Sequence, residues 1–145
     1  MNISKSGMDF ITARESREHK AYKDTKGLWT IGIGHLILDS ESILLKVTLT
    51  DKEIDDLFLK DLSKYEKTVN SVIKVPLTQY QYDALVSFCF NIGRGGFADS
   101  TVARVINNNE FSKVPDAMKM WNKPSEIIGR REKEIKLFVT GKYLK

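Results

Sequence analysis

The sequence predicts an α+β fold that is mostly helical, with one small β-hairpin near the N-terminus. A turn signal followed by a strand pattern between Lys20 and His35 predicts the hairpin. Downstream, a T-x-x-E capping box at Thr50 and a T-x-x-Q box at Thr78 each precede apolar residues that recur with helical period. This pattern indicates a hairpin lobe and a helical lobe that are joined by a long helix.

The N-terminal segment is expected to carry a carboxylic acid at the edge of an apolar stripe. Ser4 or Ser6 caps a predicted first helix. In this helix, Met8, Ile11 and Glu15 fall at positions i, i+3 and i+7. A partly desolvated carboxylic acid can hold its proton near neutral pH, which a general acid needs. A surface or capping role is the alternative for Glu15.

The predicted hairpin brings two further polar side chains together. Asp24 begins the turn, Gly27 supplies its positive φ, and Thr30 lies on the returning strand, Leu28 to Ile33. Asp24 and Thr30 can therefore present their side chains to one cleft. In the competing interpretation, Asp24 forms the turn through hydrogen bonds between its side chain and the local backbone.

Helices account for the rest of the prediction. The helix after Thr50 covers about residues 51–72, and the helix after Thr78 is strongly apolar and stops at Gly93. Beyond a glycine-rich break at 93–96, caps and helix breakers predict further helices. These run from Ser100 to about Asn107, from about Glu110 through Trp121 with Pro115 limiting the start, and from about Ile127 to Val139 with Gly141 as the C-cap.

Length and composition favour one globular domain and exclude several classes of protein. The 145 residues are 41% hydrophobic and 29% charged, which are ordinary globular values. No apolar run approaches the roughly 20 residues that cross a bilayer, and the N-terminus lacks the apolar core of a signal peptide, so we expect synthesis in the cytoplasm. Cys89 has apolar neighbours that indicate a buried thiol rather than a nucleophile. The two histidines lack ligand spacing, which predicts no metal and no cofactor.

The basic excess of the chain lies in its C-terminal quarter. The formal charge is +4, and residues 111–145 contain nine Lys and Arg against four Asp and Glu. This asymmetry suits an anionic polymer, either nucleic acid or a bacterial envelope, although a dispersed charge run on a helix is more often a solvated face. No helix-turn-helix or zinc-finger pattern accompanies it, so nucleic acid is not a predicted partner.

Glu15, Asp24 and Thr30 form the spacing E-x8-D-x5-T, which is typical of a glycosidase site. Hydrolysis of a sugar–sugar bond requires an acid for the leaving oxygen and a group that orients or activates water. Glu15 suits the first role, and Asp24 with Thr30 suits the second.

Motifs along nearly the whole chain resemble phage-type lysozymes, the endolysin family of tailed bacteriophages. In collinear order they are Thr30-Ile-Gly-Ile-Gly-His35-Leu, Phe88-Cys-Phe-Asn-Ile-Gly93, Phe97-Ala-Asp-Ser100, Trp121-Asn, Gly129-Arg-Arg-Glu132 and Phe138-Val-Thr-Gly141. Many relatives carry Phe or Asp before the glutamate and Gly after it, where this chain has Arg14 and Ser16. Neither departure removes a catalytic group.

The resemblance implies a lysozyme-like fold in a single domain, residues 1–145, with an active-site cleft between its lobes. The expected β-lobe covers about residues 16–50, and the helical lobe covers 1–15 and 70–145. The connecting helix is expected at about 51–72.

For the chemistry, the resemblance implies that Glu15 protonates the glycosidic oxygen between N-acetylmuramic acid and N-acetylglucosamine in peptidoglycan. Asp24 then stabilises the oxocarbenium-like transition state and, with Thr30, holds the attacking water. The family inverts the anomeric centre, which predicts carboxyl groups roughly 6.5–9.5 Å apart. A lytic transglycosylase and a non-catalytic peptidoglycan-binding protein are the alternatives. Asp24 and Thr30 are suited to placing water, which argues against a transglycosylase. Because Glu15, Asp24 and Thr30 are all present, a non-catalytic protein is not favoured either.

The resemblance also implies supporting residues and partners. His35 is expected to pair with Asp61 on the long helix and to have no catalytic role. Arg130 is expected near the catalytic acid, with a basic helix face as the alternative. The sugar-binding cleft is expected to be lined by Leu36, Phe90 and Ser100. The implied partners of this monomer are peptidoglycan and a holin-like protein, which permeabilises the membrane so that the enzyme made in the host cytoplasm reaches the wall.

Overall fold

A computed structural model describes residues 1–145 and confirms a mostly helical α+β fold. The α-helices are α1 (Lys5–Thr12), α2 (Asp51–Val72), α3 (Gln79–Ile92), α4 (Arg94–Ala98), α5 (Thr101–Asn107), α6 (Val114–Lys119) and α7 (Ile128–Thr140). Strands β1 (Glu18–Lys23), β2 (Trp29–Gly32) and β3 (His35–Leu36) form one antiparallel sheet in the order β1-β2-β3. Short 3₁₀ helices span Asp39–Leu45, Phe111–Lys113 and Ser125–Ile127. No helix combines the length and the apolar character that crossing a membrane needs.

The chain divides into two compact units. The first unit contains Met1–Arg14 and Lys64–Lys145, and the second contains Glu15–Ser63. The division therefore falls within α2. That the whole chain forms a single domain stays a prediction.

The first unit is built around α3. Every residue of α3 from Tyr82 to Cys89 is buried, and α1, α4 and α7 pack against this helix. Both halves of the predicted box at Thr78 and Gln81 are present, so α3 begins where the sequence indicates. Burial raises the pKa of the Cys89 thiol to about 12, which agrees with a buried, unreactive thiol.

The second unit packs its sheet against the N-terminal part of α2. The box that starts this helix is complete, because Thr50 N–H donates to Glu53 Oε1 at 2.9 Å and Glu53 N–H donates to Thr50 Oγ1 at 3.1 Å. The side chains of Leu57 and Ile54 lie against Gly32 of β2, since a Cβ there would be 3.6 Å from Leu57 Cδ2 and 3.8 Å from Ile54 Cγ2. Helix α2 has the bounds that the sequence predicts.

Helix α1 differs from its prediction. It ends at Thr12, so Glu15 is outside the helix, and its buried residues are Gly7, Phe10 and Ile11 rather than a stripe through Met8 and Glu15. A Cβ at Gly7 would lie 2.6 Å from Asp83 Cγ, so α1 contacts α3 through a glycine, which hydrophobic periodicity does not detect. At the C-terminus, Arg14 N–H donates to Ile11 O at 3.3 Å, an i to i−3 bond that tightens and ends the turn.

Strand β3 and helix α4 were also not predicted. Strand β3 extends the hairpin to three strands and has only two residues, too few for a periodic signal. The glycine-rich stretch predicted as a break contains α4, which buries Phe97. A Cβ at Gly96 would lie 3.1 Å from Trp121 Cη2, so packing explains a glycine inside this helix.

Candidate active site

Glu15 lies in a bend between α1 and β1, where its side chain is half-buried. The expected partial burial is present, although Glu15 lies outside α1 and has no helical phase. Asp24 and Thr30 belong to the same compact unit as Glu15. One unit of the fold thus contains all three predicted catalytic residues.

Asp24 forms the hairpin turn through one of its two carboxylate oxygens. Oδ1 accepts bonds from the backbone N–H groups of Lys26 and Leu28, both at 2.9 Å. Gly27 follows with φ +78, as this turn requires. The turn-forming interpretation of Asp24 is therefore correct, and it is compatible with catalysis because Oδ2 has no protein donor. The turn holds the carboxylate by one oxygen and leaves the other for a water or a substrate.

Thr30 is buried on β2, where its hydroxyl donates to Leu28 O at 3.0 Å. The peptide groups of Leu28 therefore contact both predicted partners of water, because Leu28 N–H binds Asp24 and Leu28 O binds Thr30. This link could not be predicted from the sequence, since a backbone contact has no residue signature. The side chain of Leu28 is not part of it.

His35 lies between two carboxylates. Its Nδ1 is 2.7 Å from Asp61 Oδ2, as expected, and its Nε2 is 2.9 Å from Glu41 Oε1. The hydrogen bond to Asp61 raises the pKa of His35, and Glu41 raises it further against the opposing effect of burial. The contact with Glu41 was not predicted, because Glu41 lies in a 3₁₀ helix without a periodic pattern.

The residues predicted to line the sugar-binding cleft occupy different environments. Leu36 on β3 is 46% exposed and pairs in register with Thr30. Phe90 is half-buried and contacts Tyr65 edge to face, with ring centroids 5.2 Å apart. Ser100 is buried, and its hydroxyl caps α5 by accepting from Ala103 N–H at 3.1 Å while it donates to Phe97 O at 2.7 Å. Their contact with glycan stays a prediction.

The phage lysozyme family model matches residues 12–134. The chain belongs to the phage lysozyme family. The predicted resemblance is thereby confirmed. Membership makes the chain a lysozyme, an enzyme that hydrolyses peptidoglycan, and it does not favour the transglycosylase alternative.

Relatives and solved structures agree with this membership. The chain is 38% identical to the endolysin of Salmonella phage P22 over 145 residues, which cover 97% of this chain and 99% of that protein. The solved endolysin from Escherichia coli O157:H7 phage FAHEc1 superposes with a TM-score of 0.90 at 32% identity, covering 100% of this chain and 98% of that one. The muramidase domain of SpmX from Asticaccaulis excentricus superposes with a TM-score of 0.85 at 34% identity, covering 96% of this chain and 98% of that one.

The stability of this lysozyme is expected to depend on the charge of His35. The imidazolium gives its full stabilisation below the ordinary histidine pKa, about 6.5, and loses it as the pH rises through the raised pKa. We expect the wild type to be about 1–3 kcal/mol more stable than His35→Asn at pH 6, and to lose most of this advantage once the pH has risen through the raised pKa of His35. Urea unfolding across this range measures it, with His19→Asn at a half-exposed site as the control. A constant difference between wild type and His35→Asn would contradict the prediction.

A buried charge network in the first unit surrounds Glu134 of α7. Glu134 is fully buried, accepts from Ser87 Oγ, and pairs with Arg131 Nη1. Arg131 also donates from Nε to Trp121 O at 2.9 Å. Arg130 Nε lies 3.8 Å from Glu134 Oε2, and the Arg130 side chain is only 12% exposed, so Arg130 is not part of a solvated basic face. Its approach to the catalytic acid stays a prediction.

Proposed function

We propose that this lysozyme is an endolysin that cleaves the β-1,4 bond between N-acetylmuramic acid and N-acetylglucosamine, with inversion, to lyse the host cell. The observation that supports this most is the arrangement of Asp24 and Thr30 about Leu28. It orients a carboxylate and a hydroxyl through one rigid turn, in the unit that also contains Glu15. Such a pair is suited to holding a water molecule.

In the proposed mechanism, Glu15 donates its proton to the glycosidic oxygen as the bond to the anomeric carbon breaks. The leaving sugar departs as an alcohol, and the Asp24 carboxylate stabilises the positive charge that develops on the ring. Because the Thr30 hydroxyl proton is bonded to Leu28 O, Thr30 Oγ1 can accept one hydrogen of the attacking water. Asp24 Oδ2 accepts the other and takes it as a proton when the water oxygen bonds to the anomeric carbon.

The products of purified peptidoglycan test this reaction. We expect mass spectrometry to find muropeptides that have gained one water at the reducing end, and NMR to find the inverted anomer first. An inverting reaction requires the Glu15 and Asp24 carboxyl groups to lie roughly 6.5–9.5 Å apart. Anhydro products would contradict hydrolysis. If the retained anomer formed first, inversion would be contradicted but hydrolysis would not.

Replacement of Thr30 tests the placement of water. Thr30→Val removes the hydroxyl at nearly constant volume and is expected to lower kcat roughly 10- to 100-fold with little change in KM, because the lost contact acts on water and not on glycan. Thr30→Ser keeps the hydroxyl and is the matched control, expected to retain most of the activity. Equal kcat for Thr30→Val and the wild type would remove Thr30 from the mechanism.

We propose further that the enzyme acts as a monomer, is made in the host cytoplasm, and depends on a holin-like partner. Its substrate lies on the far side of the cytoplasmic membrane, which a folded lysozyme cannot cross unaided. Induced expression in bacteria is expected to leave the culture turbid until a membrane-permeabilising agent is added. Lysis on induction alone would contradict the dependence, and light scattering that gives the mass of two chains would contradict the monomer.

A further inference from the structure

Glu41 makes two hydrogen bonds through a single carboxylate oxygen. Its Oε1 lies 2.9 Å from His35 Nε2 and accepts from Leu38 N–H at 3.1 Å. The other ring nitrogen of His35 is 2.7 Å from Asp61 Oδ2. An ionised carboxylate only accepts, so with both acids ionised the two ring nitrogens donate and the ring is an imidazolium, in agreement with the raised pKa of His35. Asp61 of α2 and Glu41 of the 3₁₀ helix are the charged groups that face the ring.

These bonds close a loop that begins beside the active site. The loop runs from His35 to Glu41 and contains Leu36, which pairs in register with Thr30. Residues paired across antiparallel strands present their side chains on the same face of the sheet. The pairing of β2 with β3 sets this face, and the contact of His35 with Glu41 ties β3 to the 3₁₀ helix that follows Leu36.

We propose that Glu41 is a positioning residue for glycan binding: it clamps the loop from His35 to Glu41 and so holds Leu36 on the face of the sheet that carries Thr30. This inference rests on the proposed function. Glu41 does not contact the reacting atoms in the proposed mechanism, so its removal acts on substrate binding more than on the chemical step.

The clamp depends on the His35 proton. Deprotonation leaves a ring lone pair facing a carboxylate, and one of the two contacts must open. The Glu41 side chain is 26% exposed against 11% for Asp61, so water replaces the Glu41 contact at lower cost. The loop is therefore released as the pH rises through the raised pKa of His35.

Glu41→Gln tests the clamp because an amide oxygen can still accept from Leu38 N–H while the negative charge beside His35 is lost. We expect KM for soluble peptidoglycan fragments to rise roughly threefold to tenfold at neutral pH, because an amide oxygen accepts from the charged ring more weakly than a carboxylate does, with kcat within about twofold of the wild type. NMR titration is expected to show a lower pKa for His35 in this variant. Asp39→Asn is the matched control, since Asp39 is an exposed acid in the first turn of the same 3₁₀ helix.

The wild type supplies a second test that does not depend on the folding of the variant. Its KM is expected to rise with pH, with a midpoint that coincides with the NMR titration of His35. The inference would be overturned if the KM of the wild type stayed constant across that titration. It would also be overturned if Glu41→Gln had the same KM and the same His35 pKa as Asp39→Asn. These results differ from failure of the proposed function, in which the wild type itself releases no muropeptides.

Discussion

Glu15→Gln is expected to abolish detectable release of muropeptides from peptidoglycan, with kcat lowered by roughly 10²- to 10⁴-fold. Glutamine has nearly the shape of glutamic acid, but its amide has no proton to give to the glycosidic oxygen. The leaving sugar would then depart as an alkoxide, which is the costly step that a general acid removes. Binding of glycan should persist, because the change preserves volume.

The measurement compares muropeptide release and peptidoglycan sedimentation for wild type and variant. Glu18→Gln is the control, since Glu18 is a half-buried acid on β1 only a few residues further along the chain. We expect it to retain activity close to that of the wild type. Equal turnover by Glu15→Gln and the wild type would exclude Glu15 as the acid. Binding without turnover by the wild type would instead indicate a peptidoglycan-binding protein.

Glu134→Gln is expected to produce the largest loss of stability, about 3–5 kcal/mol. The carboxylate is fully buried, and it balances the buried guanidinium of Arg131 while accepting from Ser87. Burial lowers the pKa of Arg131, and the nearby charge of Arg130 lowers it further. Glu134 opposes these effects, so loss of the carboxylate leaves a buried charge with less compensation. Removal of one partner from a buried ion pair lowers the free energy of unfolding by far more than the intact pair contributes to it.

Urea unfolding monitored by circular dichroism measures this loss. Glu132→Gln, at an exposed position of α7, carries the same chemical change and is expected to alter stability by less than about 0.5 kcal/mol. Arg131→Met combined with Glu134→Leu removes both charges and should cost less than the sum of the single changes. Additive costs would show that the two side chains do not stabilise one another, contrary to the network described.

The caps and turns of this fold could be predicted because their bonds join residues close in sequence. Both capping boxes and the Gly141 C-cap lie where the sequence places them. The hairpin turn at Asp24 follows the same rule, since its bonds reach only to Lys26 and Leu28. Strand β3 and helix α4 were not predicted, because packing against the rest of the chain stabilises them and their own residues show little propensity or periodicity.

The sequence by itself determined the family of this protein, the identity of its predicted acid, and the turn that orients its second carboxylate. The family resemblance predicted the pair of His35 with Asp61, and tertiary structure alone decided the other partners of the buried polar groups. His35 also meets Glu41, and Ser87 meets Glu134 across 47 residues. Periodicity and capping rules concern residues that are close in sequence, so they cannot predict partners that only folding brings into contact. Glu41 and Glu134 are for this reason the acids whose roles only the folded chain reveals.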